Sequence, residues 1–124
     1  MINKGGTVNH KFAPLVINFF YFKEEIMLYI GVDLGTSAVK LLLMDSEGKI
    51  VNIVSREYPL YFPHPGWSEQ KPEDWFAQSM DGIKELIKDV DKSQVAGISF
   101  GGQMHGLVIL DKDDNVIRPA ILWN

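Results

Sequence analysis

One stretch constrains this chain more than any other: Tyr29-Ile30-Gly31-Val32-Asp33-Leu34-Gly35-Thr36-Ser37-Ala38-Val39-Lys40. It begins as an apolar strand and ends that strand on an acid. It turns on Gly35-Thr36-Ser37 and leaves along a second apolar run, Val39 to Met44. An acid at a strand end can hold a hydrated divalent cation. A glycine beside two hydroxyls gives backbone N–H groups and side-chain oxygens room to surround a phosphate. Phosphoryl transfer needs those parts, because it runs mostly on positioning and charge neutralisation. A buried strand closed by an ordinary polar turn has the same composition, and one short motif does not choose between them. No Gly-Lys-Ser or Gly-Lys-Thr follows a strand, so this is not a Walker loop.

Composition narrows the setting. The chain has 124 residues, enough for one modest domain or part of a larger one, and 46% of them are hydrophobic. Net charge is −4 and Lys and Arg do not cluster, which argues against a nucleic-acid partner. Three scattered histidines and no cysteine leave no zinc-ligand spacing and no disulfide framework. Absence of cysteine fits a reducing cytoplasm. No apolar run approaches the roughly 20 residues needed to span a bilayer, so a membrane is not expected as a partner.

Residues 1–26 read differently from the rest. Lys4, Gly5, Gly6, Asn9 and His10 form a polar lead, and Leu15 to Phe22 is apolar and aromatic apart from Asn18. Lys23-Glu24-Glu25, not a small-residue cleavage site, follows that run. The expectation is that Met27 is the natural start and that 1–26 is an upstream in-frame extension outside the fold. Lys-Glu-Glu can be coded by a purine-rich, ribosome-binding-like sequence. The alternative is a strand or arm packed on the domain.

From 27 to 124 the pattern is regular. Leu28 to Asp33 reads as a central buried strand and Ala38 to Asp45 as its hairpin partner. Ser46-Glu47-Gly48 is a turn, and Lys49 to Arg56 a third strand of an antiparallel meander. Glu57 to Gln70 holds three prolines and Gly66, so it is a loop, with Tyr58, Tyr61, Phe62 and Trp67 expected to anchor it. Trp67 could instead stack on a sugar. Pro72 opens a helix, followed by Glu73 and Asp74 at its positive end. Phe76, Met80, Ile83, Ile87 and Val90 make an apolar stripe predicted to cover the sheet. Val95 to Phe100 reads as a second buried strand, parallel to the first after a crossover. Leu107 to Asp111 and Val116 to Arg118 form a hairpin around Lys112-Asp113-Asp114-Asn115, a solvated turn without the features of a calcium loop.

Gly101-Gly102-Gln103-Met104-His105-Gly106 follows the parallel strand, where α/β sheets place ligands. A neutral imidazole offers one donor and one acceptor, which suits sugar hydroxyls, and Met104 offers an apolar surface for C–H faces. A core histidine bonded to backbone is the alternative for His105.

Four blocks together carry a resemblance. They are Ile30 to Ser37, Gly66-Trp67-Ser68-Glu69-Gln70, Gly102-Gln103-Met104-His105-Gly106, and Arg118-Pro119-Ala120-Ile121-Leu122-Trp123-Asn124. The first resembles the leading phosphate motif of the actin-like ATPase superfamily. All four, in this order, resemble the N-terminal end of FGGY-family carbohydrate kinases over residues 28–124, and the third block is similar to that of the xylulokinases. The resemblance implies an α/β, ribonuclease H-like mixed sheet with a flanking helix, here as the incomplete first domain of a kinase (27–124). It implies ATP and Mg2+ as cofactors and D-xylulose or a related sugar as substrate, phosphorylated to D-xylulose 5-phosphate. Asp33 would act on the magnesium and the transferring phosphoryl group. Thr36, Ser37 and the Ala38 backbone would bind the nucleotide phosphates. Lys40 would lie near those phosphates or on the hairpin surface. Gln103, Met104 and His105 would contact the sugar. The family's Asp base and adenosine site match nothing in this chain and belong to later segments and a C-terminal kinase domain. The chain alone is therefore expected to be inactive. Another FGGY kinase, acting on gluconate or a polyol, and a non-functional truncated fragment are the alternatives.

Overall fold

A computed structural model describes residues 26–124. The expectation that 1–26 stands outside the fold falls, but for Ile26, outside the described residues.

Alternating apolar residues build the sheet. Strands β1 (Leu28–Leu34), β2 (Ala38–Asp45) and β3 (Ile50–Glu57) form the expected antiparallel meander. The β2–β3 turn closes on Gly48 at φ 83, a left-handed conformation that glycine adopts without strain. Two-residue β4 (Glu69–Gln70) precedes helix α1 (Pro72–Leu86), and β5 (Val95–Gly102) then returns parallel to β1. The sheet order is β3-β2-β1-β5, so β1 is flanked on both sides. β6 (Ala120–Ile121) pairs antiparallel with β4 in a separate small sheet. This is a mixed sheet with a flanking helix, as the resemblance implies.

One face carries the core. Leu28, Ile30 and Val32 of β1, Val39, Leu41 and Leu43 of β2, and Val54 of β3 are buried together with Leu86 of the helix. Period-two alternation puts Asp33, Lys40, Leu42 and Met44 on the opposite face.

Three expectations need correction. The helix buries only part of the predicted stripe: Phe76 is 71% exposed and Met80 39%, while Ser79, Gly82 and Leu86 are buried. The reason is close approach. A Cβ built on Gly82 would stand 2.5 Å from Leu41 Cδ1, so the backbone of α1 lies where a side chain would otherwise be. Ile83, Ile87 and Val90 do pack against the core, the last two beyond the helix end. Second, β5 is not buried in this chain; it is an edge strand, with Ile98 47% and Phe100 64% exposed. Third, of the four aromatic residues expected to anchor the loop only Tyr58 is buried. Tyr61 and Trp67 instead lie near the cations of Lys71 and Arg118. The Leu107–Arg118 hairpin is present as a single bridge, Leu110 to Val116, around a turn organised by Asp111.

Candidate functional site

The four sequence blocks converge. Gln103 N–H, just past β5, donates to Leu34 O at the end of β1 (2.8 Å). Glu69 and Gln70 pair with Ile121 and Ala120. Leu107 N–H donates to Ile121 O, and Leu122 N–H to Ser68 O. The Arg118 guanidinium, over the Trp67 ring, pairs with the Glu69 carboxylate.

At the β1–β2 turn, Gly35 N–H donates to Ala38 O (3.0 Å) and closes the bend. A Cβ on Gly35 would stand 3.0 Å from that same oxygen, a tight contact that glycine avoids. Its carbonyls are held from behind. Tyr58 OH donates to Gly35 O, Tyr58 N–H to Ser37 O, and Gln70 Nε2 to Thr36 O at 2.6 Å. The amides of Thr36 and Ser37 donate to no group among the described residues. A turn with its carbonyls engaged and two successive N–H groups free is a donor surface suited to an anion.

Asp33 stands opposite Lys40 on β2 and beside Gly101 on β5. Both side chains are exposed, and the carboxylate forms no ion pair or hydrogen bond among the described residues. Gly101 has open space where a side chain would be, which keeps the ground beside the carboxylate clear. Asp33, Lys40, Ser99 and Phe100 line an open groove of about 660 Å³ on the uncovered sheet face.

Sequence reasoning gave Tyr58 only an anchoring role in the loop and gave Gln70 no role of its own; the structure brings both to the turn. Burial first, and the Asp33 charge second, push the Tyr58 phenol from 10.0 up to about 12. A raised phenol value means that the folded state holds its proton more tightly than the unfolded one. Tyr58 therefore contributes stability that is fully present below about pH 10 and is lost as pH rises towards 12. Denaturant midpoints measured from pH 8 to 12 are expected to stay level and then fall. Tyr58→Phe removes this group's share of the fall; an unchanged profile contradicts the assignment.

The sugar-side candidates lie elsewhere. Gln103 and His105 line a second groove of about 170 Å³ with Leu34, Trp75 and Val108. His105 takes a left-handed φ of 62, uncommon for a non-glycine residue, and is exposed rather than bonded in the core. Met104 is 69% exposed. Asp33 and His105 thus line different grooves; Thr36 of the β1–β2 turn reaches the second through Gln103, its Oγ1 donating to Gln103 Oε1 at 3.2 Å. Among the described residues no group of three His, Cys, Asp or Glu side chains gathers as a metal centre. Among the described residues no helix is long and apolar enough to cross a membrane.

The N-terminal domain of the FGGY family of carbohydrate kinases matches residues 28–124. The chain is 52% identical over 103 residues to a xylulose kinase of Staphylococcus epidermidis, covering 82% of this chain and 20% of that protein. It is also 52% identical over 97 residues to a xylulose kinase of Bacillus subtilis (77% of this chain, 19% of the relative). A gluconokinase of Bacillus subtilis is 32% identical over 94 residues, 76% of this chain and 18% of that protein. A crystal structure described as a "xyloylose kinase" from Brucella ovis superposes with a TM-score of 0.74 at 45% identity, over 78% of this chain and 21% of that one. The chain thus spans about a fifth of the length of the curated relatives it matches.

Proposed function

Since the chain belongs to the FGGY family of carbohydrate kinases, we propose that residues 27–124 form the N-terminal part of an ATP-dependent xylulose kinase. The reaction is transfer of the γ-phosphoryl group of ATP to a hydroxyl of D-xylulose, giving D-xylulose 5-phosphate in the cytoplasm. The observation that carries this reading is the β1–β2 turn. It combines free Thr36 and Ser37 amides with an unpaired carboxylate and, across the strand pair, Lys40.

The residues present fit a magnesium nucleotide. Mg2+ is commonly held by one or two carboxylates together with substrate phosphates, so a lone Asp33 without a three-ligand cluster suits it. When bound, the ion supplies charge neutralisation to the phosphates. Asp33 orients the ion from the strand end. Thr36 and Ser37, with the Ala38 backbone, cradle phosphate oxygens, and Lys40 adds a positive charge to the groove. His105 exchanges hydrogen bonds with sugar hydroxyls, Met104 covers C–H surface, and Gln103 supports both. Among the described residues no carboxylate lines the groove around His105, and in this reading the general base comes from outside that groove. In the same reading this segment, about a fifth of the length of the xylulose kinases it matches, works together with a C-terminal kinase domain and is inactive by itself.

Gluconate is the second substrate reading, supported by the 32% identity to a gluconokinase, weaker than the 52% to xylulose kinases. The test is a segment exchange. Residues 28–124 replace the corresponding part of the Bacillus subtilis xylulose kinase, and the purified, folded protein is assayed with xylulose, gluconate and glycerol. Xylulose is expected to be preferred. Preference for gluconate moves the assignment, and a folded but inactive exchange supports a non-functional segment. In the same protein His105→Ala is expected to raise the KM for xylulose about 10- to 100-fold with a smaller change in kcat, the cost of one or two lost sugar hydrogen bonds. An unchanged KM contradicts direct contact.

A further inference from the structure

Gln70 is fully buried, at 0% exposure, and its bonds tie the β1–β2 turn to the following loop, to helix α1 and to Gln103. Its Nε2 donates to Thr36 O (2.6 Å) and Pro59 O (3.2 Å). Its Oε1 accepts from Trp75 Nε1 (3.0 Å) and from Gln103 Nε2 (3.2 Å). Gln103 Oε1 in turn accepts from the Thr36 hydroxyl. Thr36, Gln103 and Gln70 therefore close a ring of hydrogen bonds, and the carboxamide of Gln70 uses its whole capacity of two donors and two acceptor sites.

The ring runs in one direction only. An indole N–H can only donate, so Trp75 fixes the oxygen of Gln70 towards itself and Gln103. The nitrogen then faces two carbonyls, which can only accept. Gln103 must offer its nitrogen to Gln70, and its oxygen is left for Thr36. The backbone of Gln103 is held separately by Leu34 O, so its carboxamide can respond without moving the loop.

We propose that Gln70 is a positioning residue that couples the phosphate turn to the sugar loop through this ring. This rests on the kinase reading above. Thr36 has a single hydroxyl hydrogen. Donated to a phosphate oxygen, it leaves Gln103 Oε1 without its partner and free to accept from a sugar hydroxyl. Gln70 keeps the rest of the ring in place while that exchange occurs. Nucleotide at the turn thereby tightens sugar binding at the loop, and by linkage sugar tightens nucleotide binding by the same factor.

The test uses the segment-exchanged kinase. The Kd for xylulose is measured by calorimetry without and with a non-hydrolysable ATP analogue and Mg2+. The unsubstituted protein is expected to bind the sugar at least about 5-fold more tightly with nucleotide present, the lower end of ordinary coupling. In Gln70→Met and in Gln103→Met that ratio falls towards one, whatever happens to the individual affinities. A residue that served only packing would change stability and leave the ratio alone. Gln103→Met, at a half-exposed position, carries the test if Gln70→Met does not fold. A ratio of one in the unsubstituted protein, or an unchanged ratio in folded Gln103→Met, overturns the proposal. The kinase reading fails separately, if the unsubstituted protein phosphorylates no sugar.

Discussion

Asp33→Ala, in a full-length kinase carrying this segment, is expected to lower turnover by at least roughly 10²- to 10³-fold, the usual cost of removing one preorganised charge-stabilising group. Thermal stability is expected to stay within about 0.5 kcal/mol, because the side chain is exposed and holds no ion pair or hydrogen bond among the described residues. The combination matters: a carboxylate with no structural partner has little to lose except a ligand. Asp33→Asn separates charge from shape and is expected to behave like the alanine variant. A readout independent of turnover comes from Tyr58. Without the Asp33 charge its phenol titrates somewhat lower, but it stays above 10.0 because burial is the larger cause. Near-normal turnover in Asp33→Ala contradicts the assigned role.

Leu41→Ala is expected to destabilise the fold by about 2–5 kcal/mol, the range for deleting a buried leucine side chain. Leu41 is 1% exposed, on the inner strand β2, and meets the helix at Gly82. That contact predicts a second result. Gly82→Ala gains about 1 kcal/mol of helix propensity but drives a methyl into Leu41 Cδ1, and overpacking of this kind costs about 1–3 kcal/mol. Alone it is expected to destabilise. Combined with Leu41→Ala it fills part of the cavity, so the double variant is more stable than the sum of the singles. Strict additivity in urea unfolding contradicts the packing described.

The meander was legible because its strands alternate and its turn carries Gly48. The start of α1 was legible from Pro72, and the parallel return of β5 from the crossover. The face of α1 was not. Apolar periodicity scores Phe76 and Met80 and passes over Ser79 and Gly82, but it is the small residues that let the helix approach the sheet. The exposure of β5 was hidden for a related reason: Ile98 and Phe100 have the composition of buried residues, and none of the described residues covers them. Strands β4 and β6 are two residues each, too short for any period to register. At the site, Asp33 and the turn were readable as a motif, and so was the glycine-flanked His105. The ring was not. Gln70 stands between a glutamate and a lysine in a loop, and only the fold reveals that it is sealed from water and bonded to Thr36 and Gln103. The separation of Asp33 and His105 into two grooves was equally invisible in one dimension.

The most direct measurement is a crystal structure of the segment-exchanged kinase with ADP and Mg2+. The account predicts phosphate oxygens against the Thr36 and Ser37 amides and the metal beside the Asp33 carboxylate. A diphosphate bound elsewhere, with those amides still facing solvent, would contradict it.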